Sequence, residues 1–184
     1  MCDDTLKIVF SLIENSTTPL VLDADALNCV AKQPEILLRK KAPIIITPHP
    51  GEMSRLTGLA TPLVNAERER VALDFTQKYG VVTVLKGAGT VIASPNGKVL
   101  VNPTGNSGMA TGGSGDVLAG MTASILAQGA SAFSSAAAAV YLHGLAGDIA
   151  DRKIRTKSQC LPTDLINCIP LAYKRCGICN LKYK

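Results

Sequence analysis

Residues 104–120 read TGNSGMATGGSGDVLAG, six glycines and one carboxylate, Asp116, set where an apolar helical pattern begins. Glycines admit positive φ and let a ligand approach the backbone with no Cβ in the way. Successive N–H groups leading into a helix N-terminus form an anion cradle, and the helix dipole reinforces it. Phosphate oxygens suit such a cradle. The plain reading of Asp116 is that an acid in a first helical turn gains about 0.3–1 kcal/mol from the dipole. Beside Gly112, Gly113 and Gly115 the better reading is chemical, because a carboxylate next to a held phosphoryl group can take the proton of an attacking hydroxyl.

Working outward from this loop, two helical stretches follow it, Asp116–Gln128 and Ser131–Ala150. The second is rich in alanine and glycine, which suits close packing in a buried layer. Residues 151–160 read as a polar loop, Pro162–Ile169 as a short helix, and 171–184 as a poorly specified tail. Upstream, Asp3 and Asp4 open an amphipathic helix (LKIVFSLIEN). Pro19–Leu22 is a short apolar strand running into acids at Asp23 and Asp25. Ala42–Thr47 repeats that design and runs into Pro48-His49-Pro50-Gly51-Glu52. Pro62–Tyr79 is helical and charge-laced, with Gly80 as its C-cap. Val81–Lys86 is a third apolar strand. Thr90–Ser94 and Lys98–Asn102 flank Pro95-Asn96-Gly97 as a hairpin.

Uniformly apolar strands alternating with helices predict a mostly parallel sheet covered on both faces, a three-layer α/β/α domain. In such sheets ligands bind beyond the carboxyl ends of the strands. Asp23, His49 and Lys86 all fall at or just after such ends, which already outlines one site. Lys86-Gly87-Ala88-Gly89-Thr90 is a second small-residue turn; by itself it is as readily a plain tight turn as a ligand contact. Paired with the 104–120 loop, it predicts a nucleotide lying between the two. No GxxxxGK[ST] sequence is present, which excludes a P-loop.

His49 sits between two prolines, so its backbone is stiff and its position defined; this favours ligand contact. Two readings of Glu52 stand level: contact with a hydrated Mg2+ through water, or the cap of the following helix. Asp23 and Asp25 divide between Asx turns and substrate or metal placement. His143, in an alanine-rich helix, reads as a packing residue.

Composition narrows the class. The 184 residues, 47% of them apolar, suffice for one domain with a full core. No apolar run approaches the ~18 residues of a membrane span, and the acidic N-terminus is unlike a signal peptide. A soluble, cytoplasmic protein is therefore expected. The net charge of +5 suits small anions, but scattered basic residues and few aromatics argue against nucleic acid. Of six cysteines only Cys176 and Cys179 have CxxC spacing, and the second pair of a zinc site is missing.

Five segments carry a resemblance: VLDADALN (21–28), ITPHPGEM (46–53), VLKGAGTVI (84–92), GNSGMATGGSGDVLAGM (105–121) and VYLHGLAGDIA (140–150). Together they resemble the ADP-dependent NAD(P)H-hydrate dehydratases of the ribokinase-like superfamily, over roughly residues 3 to 170. GGSGD points to the superfamily at large, and PHPGEM with LKGAGT narrows it to this branch. The resemblance implies conversion of hydrated NADH or NADPH back to NAD(P)H, with ADP (or ATP) as phosphoryl donor, and Mg2+. It places His49 and Asp116 on substrate contacts, with Asp116 as the catalytic base. It places Lys86, Gly87, Ala88, Gly89 and Thr90 on nucleotide contacts, together with Asn106, Ser107, Gly108, Met109, Ala110, Thr111, Gly112, Gly113, Ser114 and Gly115. Family members carry roughly another third of the domain upstream, so the resemblance implies a partial domain, N-terminally truncated. It further implies a homo-oligomer, a tetramer, and in some members an epimerase domain upstream. Two rival readings are a kinase of a small alcohol, which shares Asp116 and the loop, and a non-catalytic nucleotide-binding module.

Overall fold

The sheet is built from the three apolar strands and the hairpin that the sequence predicts. The computed structural model describes residues 3–154 and 160–177. Strands β1 (Leu20–Leu22), β2 (Ile44–Ile46), β3 (Val82–Leu85), β4 (Val91–Ala93) and β5 (Val99–Val101) lie side by side in chain order. β1, β2 and β3 pair in parallel; β4 and β5 complete the sheet as an antiparallel hairpin. Only β4 therefore runs against the others. Gly97, at φ 89°, closes the hairpin turn, with Ser94 N–H donating to the Lys98 carbonyl at 2.9 Å.

Alternate side chains along β1 to β4 enter different cores, which is why these strands are apolar throughout, whereas the edge strand β5 leaves Leu100 and Val101 exposed. Ile44 and Ile46 point into one cluster with Val9, Ile13, Leu27, Met53 and Phe75. Ile45, Val82, Val84 and Ile92 point into another with Leu118, Val140, Leu145 and Leu165. The three isoleucines of β2 are 0–1% exposed, and each contributes about 1.5–3 kcal/mol by burial. The first cluster lies under α1 (Asp3–Asn15), α2 (Asp25–Val30), α3 (Pro50–Thr57), α4 (Thr61–Ala66) and α5 (Arg68–Tyr79). The second lies under α6 (Ser114–Ala127), α7 (Ala132–Ile154) and α8 (Pro162–Arg175). This is the expected three-layer α/β/α arrangement. In α7, Ala136, Ala139, Ala146 and Ala150 are fully buried, and the small side chains let α6 and α8 close against it.

Several boundaries differ from the sequence reading. Residues 25–30 and 34–39, to which the sequence reading gives no element, form a short helix and a 3-10 turn. The stretch 62–79 is two helices, because Glu67 (φ −125°, ψ 42°) leaves the helical region and turns Arg68 inward. α7 continues four residues past Ala150. α8 runs through Pro170 to Arg175 instead of stopping at Ile169, so five residues assigned to the tail are helical. Leu165, Cys168 and Ala172 on one face are buried against α6 and α7, and that burial outweighs the N–H lost at proline. Residues 178–184 of the tail, with Cys179, lie outside the described residues. Among those described, Cys29, Cys160, Cys168 and Cys176 form no disulfide, and no helix is long and apolar enough to cross a membrane.

Candidate active site

Because β1, β2 and β3 are parallel neighbours, their carboxyl ends deliver Asp23, His49 and Lys86 to one edge of the sheet. Lys86 Nζ lies 2.7 Å from Asp23 Oδ1 and 3.8 Å from Glu52 Oε2. All three side chains are largely withdrawn from water, Glu52 to 6% exposure. Asp23 reaches Lys86 from a bend at Ala24, a non-glycine residue with φ 49°; such conformations collect at functional sites. Asp25 has a structural part, accepting from Asn28 Nδ2 at 3.3 Å.

His49 caps α3. Its Nδ1 accepts from the N–H of Gly51 (3.0 Å) and Glu52 (3.3 Å), while Glu52 Oε2 accepts from His49 N–H at 2.7 Å. The two form a reciprocal capping box. With Nδ1 accepting, the ring proton resides on Nε2, 3.6 Å from Glu52 Oε1, and the half-exposed ring offers a donor outward. Of the two level readings of Glu52, this geometry realises the cap. A metal fits poorly between Glu52 and Asp23, since the Lys86 ammonium already occupies that place. Among the described residues no cluster of three or more His, Cys, Asp or Glu side chains suits a metal ion.

The Lys86–Thr90 turn is held from behind by Arg68, which sequence reasoning does not single out. Its Nη2 donates to the Leu85 carbonyl at 2.8 Å, and its guanidinium lies where a Cβ on Gly87 (φ 146°) would stand. Burial pushes the Arg68 pKa down. Thr90 Oγ1 donates to the Gly87 carbonyl at 3.0 Å, closing the turn. A cavity of about 420 Å³ opens against Ala88 and Gly89, lined also by Arg68 and Val101; none of residues 105–116 lines it.

The glycine-rich loop divides into two parts. In the first, Gly105 N–H donates to Asp148 Oδ2 (3.0 Å) and Gly108 N–H to Asn106 Oδ1 (3.0 Å). The N–H groups of Met109 and Ala110 close a 3-10 turn onto the carbonyls of Asn106 and Ser107. In the second part, the N–H groups of Thr111, Gly112, Gly113, Gly115 and Asp116 meet no hydrogen-bond partner among the described residues. Those of Asn106 and Ser107 are likewise open. Gly113 (φ 89°) is the N-cap of α6 and supplies no side chain to it. Asp116 stands in that uncapped first turn, exposed, with no hydrogen bond or ion pair to the described residues. A Cβ on Gly115 would lie 3.5 Å from Lys86 Nζ and 3.9 Å from Asp23 Oδ2. The strand-end cluster and the start of α6 are thus one site.

The loop rests on α7, and here the sequence reading falls short. His143 Nε2 donates to the Ser114 carbonyl at 3.0 Å. Gly144 and Gly147 make room for Thr104 and Met109, whose atoms lie within 3 Å of where their Cβ atoms would be. His143, Gly144, Gly147 and Asp148 recur at helical spacing on one face, the signal that could have marked them. Burial lowers the His143 pKa from its ordinary 6.5, partly offset by the bond to Ser114, which leaves a neutral ring behind the loop.

Residues 2–171 match the family model described as NAD(P)H-hydrate dehydratase. The chain is 43% identical over 166 residues to the bifunctional NAD(P)H-hydrate repair enzyme Nnr of Moorella thermoacetica, covering 90% of this chain and 31% of that one. It is 44% identical over 140 residues to the ADP-dependent (S)-NAD(P)H-hydrate dehydratase of Neisseria meningitidis, covering 75% of this chain and 47% of the relative. The ADP/ATP-dependent NAD(P)H-hydrate dehydratase of Bacillus subtilis, co-crystallised with ATP and Mg2+, superimposes with a TM-score of 0.80 at 35% identity. That match covers 89% of this chain and 57% of the other. The chain spans under half the length of the two curated relatives.

Proposed function

The chain belongs to the NAD(P)H-hydrate dehydratase family, and we propose that its site dehydrates hydrated NADH or NADPH back to NAD(P)H with ADP as phosphoryl donor. The observation that carries this reading is the open start of α6. Five N–H groups between Thr111 and Asp116, without a partner among the described residues, lie around an exposed carboxylate beside the Lys86 cluster. Free amides at a helix N-terminus hold phosphate oxygens where charge develops in transfer, and the carboxylate takes the proton of the incoming hydroxyl.

In this reading the ring hydroxyl of the substrate gives its proton to Asp116 as its oxygen bonds to the terminal phosphorus of ADP. The bridging P–O bond breaks and AMP leaves. The ring C–O bond of the phosphate ester then breaks, phosphate departs with the bonding pair, and loss of a proton from the adjacent carbon restores the ring double bond. Within residues 106–115 the open N–H groups of Asn106, Ser107, Thr111, Gly112, Gly113 and Gly115 contact the phosphates, the rest of the stretch shaping the loop, and Lys86–Thr90 forms the second contact on the nucleotide. The outward Nε2–H of His49 orients the hydrated substrate. Mg2+, accompanying the nucleotide, would neutralise phosphate charge, and Glu52 would reach it only through water because its carboxylate caps α3. ATP serves as the alternative donor.

The protein acts in the cytoplasm, where its cysteines stay reduced, and it assembles as a homo-oligomer, a tetramer. Its biological context includes an epimerase unit, as suits a relative named as a bifunctional repair enzyme.

Incubation with hydrated NADH and ADP, followed by the return of NADH absorbance, tests the proposal. Recovery in step with AMP release is expected. Binding of ADP with no recovery of absorbance, or phosphorylation of a small alcohol by ATP instead, would overturn it.

A further inference from the structure

The closed half of the loop contains a relay whose direction is dictated by chemistry. Asp148 on α7 accepts two hydrogen bonds, from Gly105 N–H to Oδ2 (3.0 Å) and from Asn106 Nδ2 to Oδ1 (3.1 Å). An ionised carboxylate can only accept, so the amide nitrogen of Asn106 must face it. This turns Asn106 Oδ1 the other way, onto the Gly108 N–H at 3.0 Å. Asp148 therefore selects one of the two amide orientations of Asn106 and, through it, the fold of residues 105–110. The turn that this stretch makes leads directly into the open amides at 111–116.

We propose that Asp148 is a positioning residue for the nucleotide loop, acting through the Asn106 amide on the Gly108 backbone. Nothing in the chemistry of Asp148 calls for substrate contact, because both its oxygens are engaged by the loop. Its neighbours on the same face of α7 serve the same end: Gly144 and Gly147 admit Thr104 and Met109 at contact distance, and His143 holds Ser114 where the loop rejoins a helix. Loop and helix are thus built as a template and its cast.

The relay predicts an unusual mutational pattern. Asp148→Asn keeps the volume but presents one acceptor and one donor to two donors. One of the N–H groups of Gly105, Asn106 or Gly108 must then face another donor. The double variant Asn106→Asp/Asp148→Asn restores every bond. The amide introduced at position 148 accepts from Gly105 N–H and donates to the carboxylate introduced at position 106. The second oxygen of that carboxylate accepts from Gly108 N–H. Net charge is the same as in the parent.

Two measurements on the full chain test the proposal: residue-resolved amide hydrogen exchange, and affinity for ADP with Mg2+ by calorimetry. Asp148→Asn is expected to speed exchange at Gly105 or Gly108, whichever loses its acceptor, by about tenfold or more, the order of losing a hydrogen bond to a charged group. Exchange at Ile45 in the buried sheet, a remote control, stays within about twofold, the spread of uncoupled sites. ADP affinity falls by roughly tenfold, again the order of one charge-assisted bond. The double variant recovers Gly108 protection to within about threefold, since coupled pairs deviate from additivity. Unchanged exchange at Gly105 and Gly108 in Asp148→Asn overturns the proposal. So does a double variant no better protected than the single one, including the case where Asp148→Asn alone unfolds. The ADP arm rests on the function proposed above. If the parent chain binds no ADP, that function fails, while the exchange arm still decides on the relay.

Discussion

Helices α3 and α6 begin on the same edge of the sheet, with Lys86 close to both, yet their first turns are opposites. α3 is closed: His49 takes the N–H groups of Gly51 and Glu52, and Glu52 takes that of His49. α6 is open: its N-cap is Gly113, and the N–H groups of Gly115 and Asp116 meet no partner among the described residues. A glycine N-cap in place of a side-chain cap costs only about a few tenths of a kcal/mol, so the open start is cheap to keep. The contrast marks which helix start offers open amides to an anion. In the reading proposed above, the capped helix contributes stability and presents His49 to the substrate, while the bare one receives the phosphoryl group.

The sharpest way to break this contrast is to remove the acid from the open helix. Asp116→Asn is expected to lower the rate of NADH recovery by about 10²–10⁴-fold, the range of a general base, with ADP affinity held within a few-fold. A comparable loss of affinity would show that Asp116 binds rather than reacts. A second variant closes α6 instead. Gly112 is exposed, has an ordinary φ, and a Cβ there meets nothing within 4 Å. Gly112→Asp therefore adds a carboxylate to the free amides without strain. ADP binding should fall by about ten- to a hundredfold, since like charges at an interface cost several kcal/mol, while the melting temperature stays put. A variant that binds ADP normally would place the phosphates elsewhere.

Opening α3 should instead affect stability. His49→Ala removes the cap and is expected to cost about 1 kcal/mol, a fall of about 2–4 °C in Tm for a chain of this size, measurable by thermal melting. The smallest effect concerns the support behind α6. Burial lowers the His143 pKa from 6.5, so the unfolded chain takes up the proton before the folded one. The stability that neutral His143 confers is complete above about pH 6.5 and is lost progressively as pH falls through the depressed folded value. His143→Gln has nothing to titrate there. Its Tm should lie below that of the parent at pH 8, and the gap should narrow toward pH 5. A constant gap would mean that the ring does not titrate with unfolding.

Most of the sheet can be read directly from residues, because VVTVL and III have no exposed face in which to place a polar side chain. The hairpin is equally plain from Pro-Asn-Gly. The pairing of Asp23 with Lys86 is hidden, because 63 residues separate them and only adjacent parallel strand ends bring them within 2.7 Å. Arg68 is hidden in a charge-laced helix among arginines that face water. Its role depends on a kink at Glu67 that no local pattern announces. His143 reads as packing, which its burial supports, but its bond to Ser114 across 29 residues has no local signal.

By itself, then, the sequence determined the layered architecture, the strand ends that form the site and the glycine loop that opens onto it. These follow from local conformational preference and apolar periodicity, which each short segment carries within itself. Only the tertiary structure decided which amides in that loop are free, which carboxylate caps and which stays bare, and that α7 sets the loop's shape. Hydrogen-bond satisfaction is a property of the assembled neighbours, and a donor's partner is fixed only when distant segments meet.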